Sequence, residues 1–144
     1  MTAVAVVLLA EPVMTPAPKG QYALTVPFPV HVIVDGVGHD WTVPVGFVTD
    51  GASVPAIFWA VVNNPYAPSS LRAAILHDWL CRGPVYPVSS TTACEVFYTA
   101  LRADGCAWAR SRAMWLAVRW FGPAFRATAS LNVGMHSPRW PRRL

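Results

Sequence analysis

The chain is predicted to fold as a single α+β domain, a small antiparallel sheet from the N-terminal half packed by three helices from the C-terminal half. Short runs of Val, Ile, Trp and Thr bounded by Pro and Gly fill residues 3–48, which is strand chemistry. Residues 69–121 instead carry cap residues, apolar positions at helical spacing, and Gly-Pro or Asp-Gly stops, which is helix chemistry. Strands first and helices after, without alternation, argue for α+β rather than a doubly wound α/β sheet. A length of 144 residues suits one core.

The first predicted strand is the Val/Leu run Ala3 to Leu9, ended by Glu11-Pro12. Pro16-Ala17-Pro18-Lys19-Gly20 then reads as a stiff connector. Tyr22 to Val34 alternates in places and carries Pro27 and Pro29, which predicts an edge strand or a break. Asp35-Gly36 with Gly38 supplies a turn, and Trp41 to Val48 returns as a further strand.

Ser69-Ser70 predicts a cap for a helix from Leu71 to about Arg82, stopped by Gly83-Pro84. Thr92 with Glu95 fits a capping box opening a second helix that ends near Asp104-Gly105. The third helix is expected from Trp108 to Phe121, with Ala109, Ala113, Leu116 and Trp120 on its core face and Gly122-Pro123 as its stop. Residues 1–126 thus form the predicted domain, and residues 127–144 a basic C-terminal arm.

Hydrophobic residues make up 54% of the chain and charged residues 12%, about half the usual share of roughly 25%. So few charges leave apolar surface to be covered, and the Trp and Pro content points the same way, toward a subunit held by partners. The net charge is +4, with every acidic residue before Gly105 and Arg110, Arg112, Arg119, Arg126, Arg139, Arg142 and Arg143 after it. Cys81, Cys94 and Cys106 form no CxxC pair, so a reducing compartment is expected and a disulfide framework is not. The N-terminal run lacks a basic n-region, and no apolar run reaches the ~18 residues of a membrane span. The expectation is a soluble chain outside the general export route.

Chemistry concentrates in two segments, Thr49-Asp50-Gly51-Ala52-Ser53-Val54-Pro55 and Leu76-His77-Asp78-Trp79-Leu80. On a wheel of about 100° per residue, His77 falls among Ala73, Ala74, Leu80 and Cys81, and Asp78 among Leu71, Ala74 and Ile75. The first helix is therefore apolar nearly all round, and a buried carboxylate and imidazole there require hydrogen-bond or ion partners. The Thr49–Pro55 segment, with its carboxylate and hydroxyls, is the expected partner.

These two segments, the Ala73-Ala74 step and the Ala117–Gly122 run AVRWFG resemble a family of small phage and prophage proteins, domain of unknown function 1353, over roughly Val45 to Gly122. The resemblance implies a bacteriophage context. Members of that family often carry an Ala-Asp pair early in the second helix, where this chain has Ala93-Cys94.

Three readings of the constellation stay open. In the first, Asp50, His77 and Asp78 form a buried polar network that pins the loop to the helix. In the second the site is hydrolytic; the helical His-Asp pair is similar to the layout of secreted phospholipases A2, which implies His77 as general base and Asp78 as ligand of a divalent metal. In the third, His77 and Cys94 bind zinc with Asp50 or Asp78. Cys81, one turn beyond His77, reads as a buried structural cysteine, and His31, His39 and His136 as residues without partners. On the surface, Arg112, Trp115 and Arg119 share one face of the third helix, and Trp140 sits among Arg139, Arg142 and Arg143. Arg and Trp together are typical interface anchors, and with no nucleic-acid module in view, protein contact is their expected role.

The expected function is that of an accessory or structural protein of a phage particle, in the tail or adsorption apparatus. Its expected partners are other virion proteins and further copies of itself, and its expected location is the virion, after the host cytoplasm. No cofactor beyond a possible divalent metal is implied. The alternative is a small hydrolase using His77 on a lipid or cell-wall substrate during entry or lysis.

Overall fold

A computed structural model describes residues 2–49, 68–82 and 87–133 of the chain. Strands β1 (Val4–Leu8), β4 (Phe28–Val34) and β5 (Val37–Val43) form one antiparallel sheet in the order β1-β4-β5. Strands β2 (Met14–Ala17), β3 (Gln21–Leu24) and β6 (Val48–Thr49) form a second in the order β2-β3-β6. Helices α1 (Pro68–Arg82), α2 (Ser90–Ala103) and α3 (Trp108–Val133) follow. The predicted α+β class, with sheet before helices, is the one found.

The β4–β5 hairpin closes on Asp35-Gly36, with Val34 opposite Val37. Both turn residues have positive φ, 49° and 82°, the requirement of the two-residue turn whose twist matches paired strands. Asp35 also anchors β1: its backbone N–H donates to Ala3 O at 2.8 Å, and its Oδ1 accepts from Ala3 N at 2.8 Å. Pro29 lies in the central strand yet costs no ladder bond to β1, because that pairing stops one residue short, at Leu8 opposite Val30. Alternation along β4 turns Phe28, Val30 and Val32 inward.

Several predicted boundaries move. The segment expected as a Pro-rich connector contributes β2 and a single 3-10 turn, Pro18–Gly20, which joins β2 to β3. As the edge of its sheet, β2 accommodates Pro16. The expected Tyr22–Val34 strand is divided at Thr25-Val26-Pro27 between the two sheets, and the expected Trp41–Val48 strand is divided at Pro44 in the same way. Each of two prolines thus divides a strand-like stretch between the two sheets.

Among the helices, α1 begins at Pro68 and takes Ser69 and Ser70 into its first turn, consistent with the preference for Pro at the first helical position. Helix α2 is capped by Ser89 rather than Thr92: Thr92 N donates to Ser89 Oγ at 3.2 Å. It ends at Asp104-Gly105, as expected, with Cys106 N donating to Leu101 O at 3.0 Å in a Schellman-type closure. Helix α3 continues through Gly122-Pro123 to Val133, past the predicted stop and into the stretch predicted as an arm. Proline removes one helical N–H but does not by itself terminate a helix whose neighbouring turns hold.

Helix α1 is the axis of the domain. One core cluster joins its Ile75, Leu76 and Leu80 to the inward face of the sheets (Leu24, Phe28, Val30, Val32, Val43) and to Val96 of α2. A second joins its Ala73 and Ala74 to Phe97, Ala100 and Leu101 of α2 and to Met114 and Ala117 of α3. Each large side chain buried there contributes roughly 1.5–3 kcal/mol. The alanines at the helix crossings let the backbones approach closely, so α2 and α3 pack tightly against α1.

One ion pair ties the periphery to this axis. Arg72 of α1 donates through Nη2 to Asp104 Oδ1 and through Nε to Asp104 Oδ2 (3.0 Å), a two-point grip on a carboxylate only 3% exposed. The same guanidinium donates to Ala10 O at 3.3 Å and lies 3.4 Å from Glu11 Oε1. The Asp104 hydrogen bond, outweighing burial, raises the Arg72 pKa above its ordinary value, and the Asp104 and Glu11 charges add to it. Asp104 sits at the C-terminus of α2, where the helix dipole disfavours an anion; Arg72 is what makes that placement tolerable. Arg72→Ala is expected to cost about 3 kcal/mol by leaving a buried carboxylate unpaired, and Arg72→Ala/Asp104→Ala substantially less than the sum of the single changes. Urea denaturation of the single and double variants measures both.

Candidate functional site

The two segments singled out in the sequence meet, among the described residues, in a hydrogen bond between Thr49 and Asp78. Strand β6 pairs with β3, setting Thr49 opposite Tyr22, and delivers the fully buried Thr49 side chain to α1. There Thr49 Oγ1 donates to Asp78 Oδ2 at 2.6 Å, the short distance of a hydroxyl bonded to a carboxylate. Asp78 is 7% exposed and His77 8% exposed, so both lie in the interior that the wheel of α1 predicts. The expected contact between the first segment and the helix is therefore present at Thr49. Asp50 and the rest of that segment lie outside the described residues.

Adjacent on the helix, His77 and Asp78 point to different neighbours. The His77 ring packs on Phe97 of α2 with centroids 5.0 Å apart, and its Nε2 lies 3.4 Å from Cys81 Sγ. Helical i,i+4 spacing brings the thiol to the ring, on the side of the wheel where the sequence places Cys81 beside His77. At this distance the thiol and the ring nitrogen are within hydrogen-bond reach, and the imidazole tautomer sets which of them donates. Cys81, Cys94 and Cys106 are all buried and form no disulfide. Among the described residues, which include His77, Asp78 and Cys94, no group of three His, Cys, Asp or Glu is placed to hold a metal ion; Asp50, the alternative ligand of the zinc reading, lies outside them.

A second His-Asp pair escaped the sequence reading. His31 Nδ1 and Asp40 Oδ1 are 2.7 Å apart on the outer face of the β4–β5 hairpin. They are directly opposite in the register that Asp35-Gly36 sets, so the turn signal, followed outward along both strands, locates them. Gly38 leaves space for the ring: a Cβ there would meet His31 Cε1 at 3.2 Å. Beside them His39 stacks on Trp41, centroids 5.4 Å apart.

The surface residues singled out on α3 also come together. The guanidinium carbons of Arg112 and Arg119 lie 5.1 Å and 5.0 Å from the Trp115 ring centroid, within cation–π range. Trp140 lies outside the described residues. The core face of α3 differs from the prediction: Ser111, Met114 and Ala117 are buried, whereas Leu116 and Trp120 are exposed. Both rows of the helix are apolar, and the alanines and Phe97 of α2 accept Met114 and Ala117 rather than the bulkier row. What remains in solvent is Trp108, Leu116 and Trp120, with Trp108 63% and Trp120 71% exposed. No helix among the described residues is long and apolar enough to cross a membrane.

Fold and site together define a small α+β domain built around a buried helix whose His-Asp pair is held from a neighbouring strand and helix. The chain belongs to the protein family of unknown function DUF1353, whose profile matches residues 24–118. It is similar to the uncharacterized protein y4jT of Sinorhizobium fredii (strain NBRC 101917 / NGR234), 32% identical over 115 residues that cover 74% of this chain and 33% of that protein. It is also similar to the uncharacterized protein y4iH of the same organism, 34% identical over 93 residues, 65% of this chain and 37% of that protein. The chain thus spans about a third of the length of these curated relatives. No solved structure matches it.

If the Thr49–Asp78 bond holds the sheet to α1, Thr49→Val, which keeps the shape and deletes the hydroxyl, is expected to lower stability by about 1–3 kcal/mol. Thr49→Ser is expected to retain most of it. Chemical denaturation of the pair checks this, and equal loss in both would assign the effect to packing instead.

Proposed function

We propose that this domain is an accessory or structural component of a bacteriophage particle, in the tail or adsorption apparatus, and works through protein–protein contacts. The observation that carries the reading is the exposed face of α3. Large apolar side chains at Trp108 and Trp120 stand in solvent on a chain with only 12% charged residues, and Arg112, Trp115 and Arg119 stack beside them. Exposed Trp flanked by Arg is the composition of interface anchors. The phage context rests on the resemblance carried by the two sequence segments and AVRWFG. In this reading the partners are other virion proteins, and the chain passes from the host cytoplasm into the virion.

The hydrolytic alternative asks His77 to act as general base. Its ring is occupied by Phe97 and Cys81, and Asp78 by Thr49, which gives both residues structural work and favours assembly as the function.

Particle association tests the proposal. Phage particles released from an induced lysogen that encodes the chain are purified on a density gradient and probed with an antibody to it. The chain is expected in the particle peak. Trp108→Ser/Trp120→Ser is expected to leave stability within about 0.5 kcal/mol, as surface changes do, and to be lost from that peak. Absence of the wild-type chain from purified particles would sink the reading.

A further inference from the structure

Resting on the assembly reading, we infer that the exposed face of α3 binds an acidic amphipathic helix of a partner protein, whose carboxylates meet Arg112 and Arg119 and whose apolar stripe covers Trp108, Leu116 and Trp120. These residues occupy one side of the helix. Trp108, Arg112, Leu116 and Trp120 follow one another at i,i+4 spacing, which aligns them in a single row about 18 Å long at 1.5 Å per residue. Such a row matches three to four turns of a docked helix. All four side chains of the row are exposed, as is Arg119 beside it.

Charge selects the occupant. Helix α3 carries Arg110, Arg112, Arg119 and Arg126 and no acidic residue. Arg112 has no carboxylate partner among the described residues, and Arg119 has only Glu95 at 4.0 Å, the outer limit of an ion pair. Both guanidiniums are already oriented by stacking on Trp115. This reduces the conformational freedom lost when a carboxylate engages them. A second copy of this chain offering the same face would set arginines against arginines, with no acid on α3 to neutralise them. A lipid surface is disfavoured by Arg112, which stands inside the apolar row between Trp108 and Leu116; inserting the row into the acyl region would carry that charge with it. An acidic protein helix satisfies the arginines and the apolar row together.

The test uses a labelled synthetic helix with a Leu stripe flanked by Glu, and the same helix with every Glu replaced by Lys. Binding to the full chain is followed by fluorescence anisotropy, beside phosphatidylglycerol vesicles and oligothymidylate. The Glu helix is expected to bind, more weakly as salt is raised, and the Lys helix is not. Arg112→Glu is expected to weaken the Glu helix about tenfold, the scale of one interfacial charge pair, and to admit the Lys helix. Equal binding of both helices, binding only to vesicles or to oligothymidylate, or no binding at all would overturn the inference. If Trp108→Ser/Trp120→Ser abolishes particle association while the Glu helix does not bind, the partner chemistry is wrong and the assembly reading stands. If the chain binds the Glu helix with the expected charge dependence yet is absent from particles, the assembly reading fails and the chemistry of the face stands.

Discussion

The burial of α1 is the constraint on which the rest of the domain depends. Its side chains at Ala73 through Asp78, Leu80 and Cys81 are all buried, so the helix must be wrapped by both the sheets and the other helices. A helix enclosed in this way leaves no solvent for its polar groups. Asp78 is met by the Thr49 hydroxyl from β6, His77 by Phe97 and Cys81, and Arg72 by Asp104 and the main chain at Ala10. Each of these contacts fixes a different part of the chain to the axis: the second sheet, helix α2, the α2–α3 corner and the connection after β1. Leaving any of these groups unpaired would cost more than a typical surface interaction contributes, and so the polar contacts specify the arrangement that the apolar clusters stabilise.

Sequence reasoning reaches this core because periodicity and burial are coupled. A helix with apolar residues on every side must be internal, and from that follows the need for partners to His77 and Asp78, which Thr49 supplies for Asp78. The sheet order was less accessible. Pro27 and Pro44 interrupt stretches that otherwise read as continuous strands, and composition alone cannot say that the chain changes sheets at each. The capping residue of α2 was misplaced because Ser89 and Thr92 are both suitable cap residues three positions apart, and they hydrogen-bond each other. The His31–Asp40 pair was legible in principle: a two-residue turn at Asp35-Gly36 determines every opposite pair along the hairpin. His31 and Asp40 stand nine residues apart in sequence, beyond helical spacing, and only the hairpin register brings them together.

The face of α3 is the most consequential difference. Ala109, Ala113, Leu116 and Trp120 satisfy the pattern of a buried row, but Met114 and Ala117 satisfy it as well. Periodicity cannot choose between two apolar rows on one helix. The choice is made by shape: α2 presents Ala100 and Phe97 at the crossing, and a row of Met and Ala approaches such a surface more closely than one of Leu and Trp. The tryptophans are consequently left outside.

Helix α1 consumes its polar groups in holding the fold, whereas α3 retains exposed aromatic and cationic groups after the fold is complete. A group already satisfied by intramolecular partners must lose them before it can serve a ligand; Trp108, Trp120 and Arg112 face no such cost. Their burial against a partner would remove apolar area from water at roughly 25 cal/mol per Å² while leaving the core contacts intact. The low charge content of the chain follows the same division. Asp78 and Asp104, with Arg72, stand where they hold the fold together, and Arg112, which has no carboxylate partner among the described residues, stands with Arg119 on the exposed face of α3. Thr49 and the His77–Asp78 pair thus belong to the interior of this domain, and Trp108, Arg112 and Trp120 stand exposed on α3.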